Sequence, residues 1–447
     1  MSDTNTGHAN TGAPFRRPLA WQDPAFDDPE KLDAELRRVF DICHGCRRCF
    51  NLCDSFPRLF DLIDATPSEV IEEVASSDFK SVVDACTLCD MCFMTKCPYV
   101  PPHPFDLDFP HLMLRYRAME FRAGKTGFAD RALTETDRNG RLGGAVAPLA
   151  NWATATGNRL SRPVMEKVAD IHRDAALPKF HGKTFVARAR EPATVNAKAP
   201  GFGRKAVLYA TCFVNYHNPG IGEAARKVLA HNGVETEVVH PVCCGMPKLE
   251  QGDIQTVVER ARKISAELLG WRDKGYDVVA LIPSCALMIK SEWPLMLPDD
   301  AEIKRLAECT FDLSQYVVDI AKKNGIADGL SPLQGGVSAH LACHARAQNM
   351  GPKAIEMLKL IPKTEIATIE RCSGHGGSWG VKTENFDLAL KVGKPVARQA
   401  VKNAKAYLAS ECPLAAEHIR QGTERLDAPA ARSWHPIELL AKAYGLI

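Results

Sequence analysis

Cys43-His44-Gly45-Cys46-Arg47-Arg48-Cys49-Phe50-Asn51-Leu52-Cys53 is followed, after a gap, by Cys86-Thr87-Leu88-Cys89-Asp90-Met91-Cys92 and closed by Cys97-Pro98. These segments hold eight of the 16 cysteines. Their spacings are C-x2-C-x2-C-x3-C and C-x2-C-x2-C-x4-C-P. Paired C-x2-C units with a longer separation would indicate zinc, and neither triple run has that form. Disulfides belong to oxidising compartments, and isolated structural cysteines do not come in two matched quartets.

The pattern resembles that of bacterial two-cluster ferredoxins. Three thiolates two residues apart reach three corners of a cubane from one tight loop, and the fourth corner is met from elsewhere. In that pattern the last cysteine of each run ligates the other cluster. The resemblance therefore implies one [4Fe–4S] cluster on Cys43, Cys46, Cys49 and Cys97, and a second on Cys86, Cys89, Cys92 and Cys53. Pro98 turns the chain away without offering a donor.

The rest of the composition is that of a multidomain globular protein of 447 residues. A net charge of +2 gives no warrant for a nucleic-acid surface, and no run of eighteen apolar residues suggests a membrane span. The polar start of the chain lacks the charged and apolar segments of a secretory signal. It reads as a disordered tail over residues 1–28, and the protein reads as cytoplasmic. Peripheral contact with the inner face of the membrane, or with quinone, stays open as an alternative.

Leu32, Leu36, Val39 and Phe40 recur at helical spacing and lead directly into Cys43. Thr66-Pro67-Ser68-Glu69 predicts a second helix carrying Val70, Ile71 and Val74. Residues 29–105 thus form a helical ferredoxin domain. Residues 106–203 read as a helical linker region, with helices over His111–Phe121 and Leu142–Ala155. Either could rest on a membrane or a partner, but packing between domains is favoured. His172 and His181 are isolated and read as structural or surface residues.

From residue 204 the texture changes to alternating strand and helix, the pattern of an α/β domain. Predicted strands end at Cys212, near Cys243-Cys244-Gly245 and at Cys285. The same arrangement recurs at Cys343, Cys372-Ser373-Gly374 and Cys412. Cys212 to Cys243 is 31 positions and Cys343 to Cys372 is 29; the next steps are 42 and 40. Asn218 and Gly220 follow Cys212 at the offsets at which Asn349 and Gly351 follow Cys343. This is an internal duplication, with halves at 204–330 and 331–447, and the cysteines lie at the carboxyl ends of strands, where open α/β sheets bind ligands. The fold class is α+β multidomain: a helical two-cluster ferredoxin domain followed by duplicated α/β cysteine-rich domains.

The halves resemble the cysteine-rich CCG domains of heterodisulfide reductase. The order of ferredoxin plus two such domains is similar to the iron–sulfur subunits of anaerobic glycerol-3-phosphate dehydrogenase, of glycolate oxidase and of heterodisulfide reductase. In that family a full motif is a lone Cys, a Cys-Cys-Gly and a final C-x-x-C. Here the first half keeps Cys212, Cys243, Cys244 and Cys285, with Met288 in the fifth place. The second keeps Cys343, Cys372 and Cys412, with Ser373 and Ala415 in the missing places. The first half retains enough thiolates for an iron–sulfur cluster or zinc. The second needs His344 or His375 to complete a metal site. Cys309 lies mid-helix outside both repeats and reads as a buried core cysteine.

The resemblance implies an electron-transfer subunit that connects a flavoprotein dehydrogenase, of glycerol-3-phosphate or 2-hydroxy-acid type, or another redox protein, with an acceptor such as quinone. No G-x-G-x-x-G follows a strand, so no dinucleotide site is expected in this chain. The rival readings are a thiol–disulfide enzyme working through its CCG sites and a cluster-dependent redox scaffold.

Overall fold

The computed structural model describes residues 14–428, 430 and 432–447. Between residue 14 and residue 204 every named element is a helix. The helix Pro29–Cys46 begins at Asp28, whose carboxylate accepts from the Glu30 and Lys31 amides, and buries Leu32, Leu36, Val39 and Phe40. Phe40 and Phe56 close on Phe109 with ring centroids 5.9 and 4.7 Å away. That aromatic core supports both cysteine runs.

Two expectations fail here. Of residues 1–28, the segment 1–13 lies outside the described residues, but 14–28 is not a loose tail. Trp21 is buried and its indole N–H donates to the Met296 carbonyl at 2.8 Å. The Arg16 guanidinium is buried against Asp90, Asp108 and Glu292 at 2.6, 3.0 and 3.1 Å. These contacts are long-range, so local composition does not disclose them. The predicted helix after Thr66 is also absent. Glu69 adopts a left-handed φ of 54°, and only the 3-10 turn Ile71–Glu73 forms.

The helix Phe109–Arg122 is a packing element. Arg115 donates to the Phe26 and Ala25 carbonyls, Arg117 to the Val83 and Glu250 carbonyls, and Arg122 to the Trp21 carbonyl. The helix expected over 142–155 is instead two, Thr136–Ala145 and Ala147–Thr154, broken at Val146 before Pro148. Pro148 lacks the N–H that an uninterrupted helix would use there.

Two small parallel sheets follow. The first holds β1 (Lys205–Tyr209), β2 (Glu235–Val239), β3 (Asp277–Ala280) and β4 (Thr310–Asp312) in the order β2-β1-β3-β4. The second holds β5 (Val337–His340), β6 (Ile366–Ile369), β7 (Tyr407–Ser410) and β8 (Ser433–Trp434) in the order β6-β5-β7-β8. Side chains alternate across β1. Val207 and Tyr209 join a core that runs through the helix Ile254–Arg272 to Phe40 and Phe56. Ala206 and Leu208 join one that includes the helix Pro219–His231, β5 and the terminal helix Pro436–Ala443. The first sheet is therefore packed between the cysteine-run region and the second sheet. Cys309 ends the helix Ala301–Cys309 and is half-buried, not mid-helix and enclosed.

Candidate functional site

The two cysteine runs are shaped by their backbones. Cys43 and Cys46 occupy the last turn of the helix Pro29–Cys46, and Arg47 then turns the chain in a left-handed conformation, its amide donating to the Cys43 carbonyl at 2.8 Å. Cys89 sits between Leu88 and Asp90, with φ of 47° and 64°. Two left-handed non-glycine residues around one thiol cost energy that the surrounding contacts must offset. Asp90 is held by Arg16, and Arg117 reaches the Cys86 carbonyl.

Electrostatic neighbours show how the eight thiols are grouped. Burial pushes Cys43 well above the ordinary thiol range, and Cys97, Cys49 and Cys46 add to it. Cys49 is pushed up to about 12 by burial and then by Cys97 and Cys46. Burial likewise raises Cys53, with Cys89 and Cys86 next. Cys92 is raised by burial and then by Cys89, Cys86 and Cys53. The fourth thiol beside each triple run thus comes from the other run. Neighbouring thiols in a partly buried setting form a donor set suited to a positively charged metal core, which would hold them as thiolates.

In the first sheet, Cys212 follows β1, Cys243-Cys244 follow β2 and Cys285 follows β3. Their sulfurs are close neighbours: Cys212 and Cys244 are pushed up chiefly by Cys243, which is itself held low beside them. Gly245 explains the Cys-Cys-Gly signature, since its φ of 93° is left-handed and a β-carbon there would stand 3.1 Å from Val257 Cγ2. Gly374, two positions after Cys372, has φ of 80°, and a β-carbon there would fall 2.1 Å from the Ala389 carbonyl oxygen.

Around the second sheet, Cys343, Cys372 and Cys412 come together. Cys343 is raised by burial, then by Cys89, Cys372 and Cys412. The strongest of these neighbours, Cys89, is a cysteine of the second run. His344 does not join this group alone: its Nδ1 lies 2.8 Å from Ser284 Oγ, beside Cys285 of the first half. His375 is buried, its imidazole lowered to about 3 by desolvation and then by His418, whose ring lies 6.0 Å away. The Nε2 atoms of His344, His375 and His418 are all buried without a hydrogen-bond partner. Among the described residues no three His, Cys, Asp or Glu side chains close around a point as they would around one bare ion.

One cavity of about 2000 Å³ joins the second run to both sheets. It is lined by Cys53 and Cys89 of the runs, by the four first-half cysteines and by the three second-half cysteines.

Residues 206–290 match the cysteine-rich domain family, CCG. This stretch is a CCG cysteine-rich domain. Across a wider span the chain is 26% identical over 349 residues to the C-chain component of the anaerobic glycerol-3-phosphate dehydrogenase of Escherichia coli (strain K12), covering 76% of this chain and 83% of that protein. It is 29% identical over 188 residues to lactate utilization protein A of Bacillus cytotoxicus, covering 40% of this chain and 75% of that one. A component of the CoM/CoB fumarate reductase of Methanothermobacter marburgensis is 28% identical over 251 residues, covering 54% of this chain and 47% of the relative.

Four residues of the CCG site and its surroundings escape sequence reasoning. Glu250 lines the cavity and is raised to about 7 by burial, against the opposing pull of Arg117. Arg16 fastens the loop around Cys89 to Glu292. Thr136 and Asp137 approach the first-half cysteines from the linker region. No motif in the sequence points from Glu135-Thr136-Asp137 to cysteines more than 70 positions away.

Proposed function

We propose that this chain is an iron–sulfur electron-transfer subunit, with [4Fe–4S] clusters on Cys43, Cys46, Cys49 and Cys97 and on Cys86, Cys89, Cys92 and Cys53. The observation that carries this reading is the sharing of thiol neighbours between the two runs. Clusters bound there would supply one-electron chemistry. The chain's own residues hold the loops: Arg117 binds the Cys86 carbonyl and Arg16 neutralises Asp90. A third iron–sulfur cluster on Cys212, Cys243, Cys244 and Cys285, and a cluster on Cys343, Cys372 and Cys412 with His344 or His375, belong to the same proposal; among the described residues the side chains do not close around a point as a single zinc ion would require.

The reading takes the ferredoxin domain and the duplicated cysteine-rich halves as the functional units, and the matching strand orders of the two sheets support the duplication. Cys372 and Cys343 are electrostatic neighbours of Cys89, so the second half is the next station after the second run. The donor in this reading is a flavoprotein dehydrogenase acting on glycerol 3-phosphate or a 2-hydroxy acid, a choice supported by relatives named for anaerobic glycerol-3-phosphate dehydrogenase and for lactate utilization. Anaerobically purified protein should contain about eight iron atoms in the two runs, with more if the CCG sites are filled. Stoichiometric zinc without iron would reject the assignment.

Contact with a membrane surface, and so with quinone, is the second part of this reading. Leu142, Val146, Leu149, Trp152, Leu160, Val164 and Val168 are 50 to 75% exposed on the helices of the linker region and the turn between them. No helix among the described residues is long and apolar enough to cross a membrane, so such contact would be peripheral. Catalysis of thiol–disulfide exchange is favoured by one observation only, the exposure of Cys372 toward the cavity.

A further inference from the structure

The segment Glu135-Thr136-Asp137 reaches the first-half cysteines from outside the CCG domain. Glu135 pairs with Lys248 and stands 3.8 Å from Arg260, which anchors the segment to the CCG domain. Gly140 lets the following helix settle onto Tyr216, since a β-carbon there would fall 2.4 Å from the tyrosine ring. One Asp137 carboxylate oxygen accepts the Cys243 backbone N–H at 2.7 Å. The other lies 2.7 Å from His240 Nε2. Thr136 Oγ1 is buried and has no protein hydrogen-bond partner that meets ordinary geometry. The sulfurs of Cys212 and Cys243 are its neighbours.

A buried hydroxyl without a partner is costly, and the neighbouring sulfurs of Cys212 and Cys243 are acceptors it could use. We propose that Thr136 and Asp137 are positioning residues that set the reduction potential of a cluster held by Cys212, Cys243, Cys244 and Cys285, in opposite directions. This rests on the reading that the first half holds an iron–sulfur cluster. A hydroxyl donating to a ligand sulfur stabilises the more negative, reduced state and raises the potential. A carboxylate fixed at the Cys243 amide adds negative charge beside the site and lowers it. The reaction is the gain of one electron from a chemical reductant such as dithionite, with no bond made or broken.

The test is a potentiometric titration of the anaerobically purified full chain, followed by paramagnetic resonance, with iron content and melting recorded alongside. The first-half signal is the one that Cys244→Ser abolishes. Thr136→Val should lower its midpoint, so that at fixed potential the reduced-to-oxidised ratio falls threefold to tenfold; tenfold is about 59 mV for a one-electron couple. Thr136→Ser should behave like the native protein, and Asp137→Asn should raise the midpoint. A role confined to holding the segment in place would not move the two variants in opposite directions. Unmoved midpoints, shifts of the same sign, or a Thr136→Ser shift equal to that of Thr136→Val would overturn the proposal. If Thr136→Val loses iron, Asp137→Asn decides: an upward shift supports the proposal and none rejects it. A native protein with no signal or metal sensitive to Cys244→Ser would instead reject the cluster reading itself, and this inference with it.

Discussion

Thr87 lies against Gly376: a β-carbon at Gly376 would stand 2.6 Å from Thr87 Cγ2. Thr87 belongs to the second cysteine run and Gly376 to the glycine-rich turn after Cys372, so this contact sets how closely the two cysteine groups approach. Gly376 also has a left-handed φ of 57°, which a side chain resists. Gly376→Ala should push the loops apart. We expect unchanged iron in the two runs but several-fold slower reduction of whatever the second half holds, read by stopped-flow absorbance. An unchanged rate would show that electrons do not pass this way.

The crosswise grouping has its own consequence. Cys53 is pushed up by burial and then by Cys89 and Cys86 of the other run. Cys53→Ser should therefore perturb the paramagnetic signal of the cluster on Cys86, Cys89 and Cys92. Cys97→Ser should perturb the one on Cys43, Cys46 and Cys49. A Cys53→Ser spectrum altered only in the signal of its own run would contradict the assignment.

Much of this was legible because cysteine spacing and short apolar runs are local signals. The strands β1, β3, β5 and β7 each end within a few residues of a cysteine, and the texture of the sequence locates them. β4 and β8 escaped because they are three and two residues long, with only Phe311 and Trp434 as large apolar residues. The helix expected after Thr66 failed because its apolar period meets a left-handed residue, Glu69. Arg16 and Thr136 were invisible for another reason. Their partners lie 74 and more positions away, and a single polar residue carries no period that points to a distant partner.

The two cysteine-rich halves should respond unequally to loss of a thiol. In the first, Cys244 is buried with the Cys243 and Cys285 sulfurs as neighbours. In the second, Cys372 is exposed to the cavity. Cys244→Ser should lower total metal and the melting temperature, whereas Cys372→Ser should chiefly slow turnover with the redox partner. Metal analysis, melting and partner-linked reduction on both variants check the contrast, and equal losses would make the halves equivalent.

Glu250 gives a pH dependence. Its carboxyl is raised to about 7 in the fold by burial, against an ordinary value near 4.3 in the unfolded chain. The folded state therefore binds the extra proton between those values. Its stability is greatest below about 4.3 and falls as pH rises toward about 7, by on the order of 2–3 kcal/mol. Glu250→Gln should remove that loss. The variant should melt higher than the native protein at pH 8 and alike at pH 5, in anaerobic melts of the full chain. A constant gap between the two proteins across that range would show that Glu250 is ionised alike in both states.

The exposed apolar residues of the linker region bear on where the protein works. Within residues 138–168 the one acidic side chain is Glu166, and it is paired with Arg173. Arg138, Arg141, Arg159 and Lys167 are exposed among Leu142, Leu149, Trp152, Leu160, Val164 and Val168. Apolar side chains ringed by unopposed cations match a bilayer with anionic headgroups, where burial and charge attraction add. The protein should float with vesicles containing a third phosphatidylglycerol, less with neutral vesicles, and less again at high salt. Leu149→Asp with Trp152→Asp should abolish flotation without changing iron content or melting, because both side chains already face solvent. Equal binding to neutral and anionic vesicles would remove the electrostatic part of the argument. Failure of the native protein to float at all would assign the same face to a protein partner.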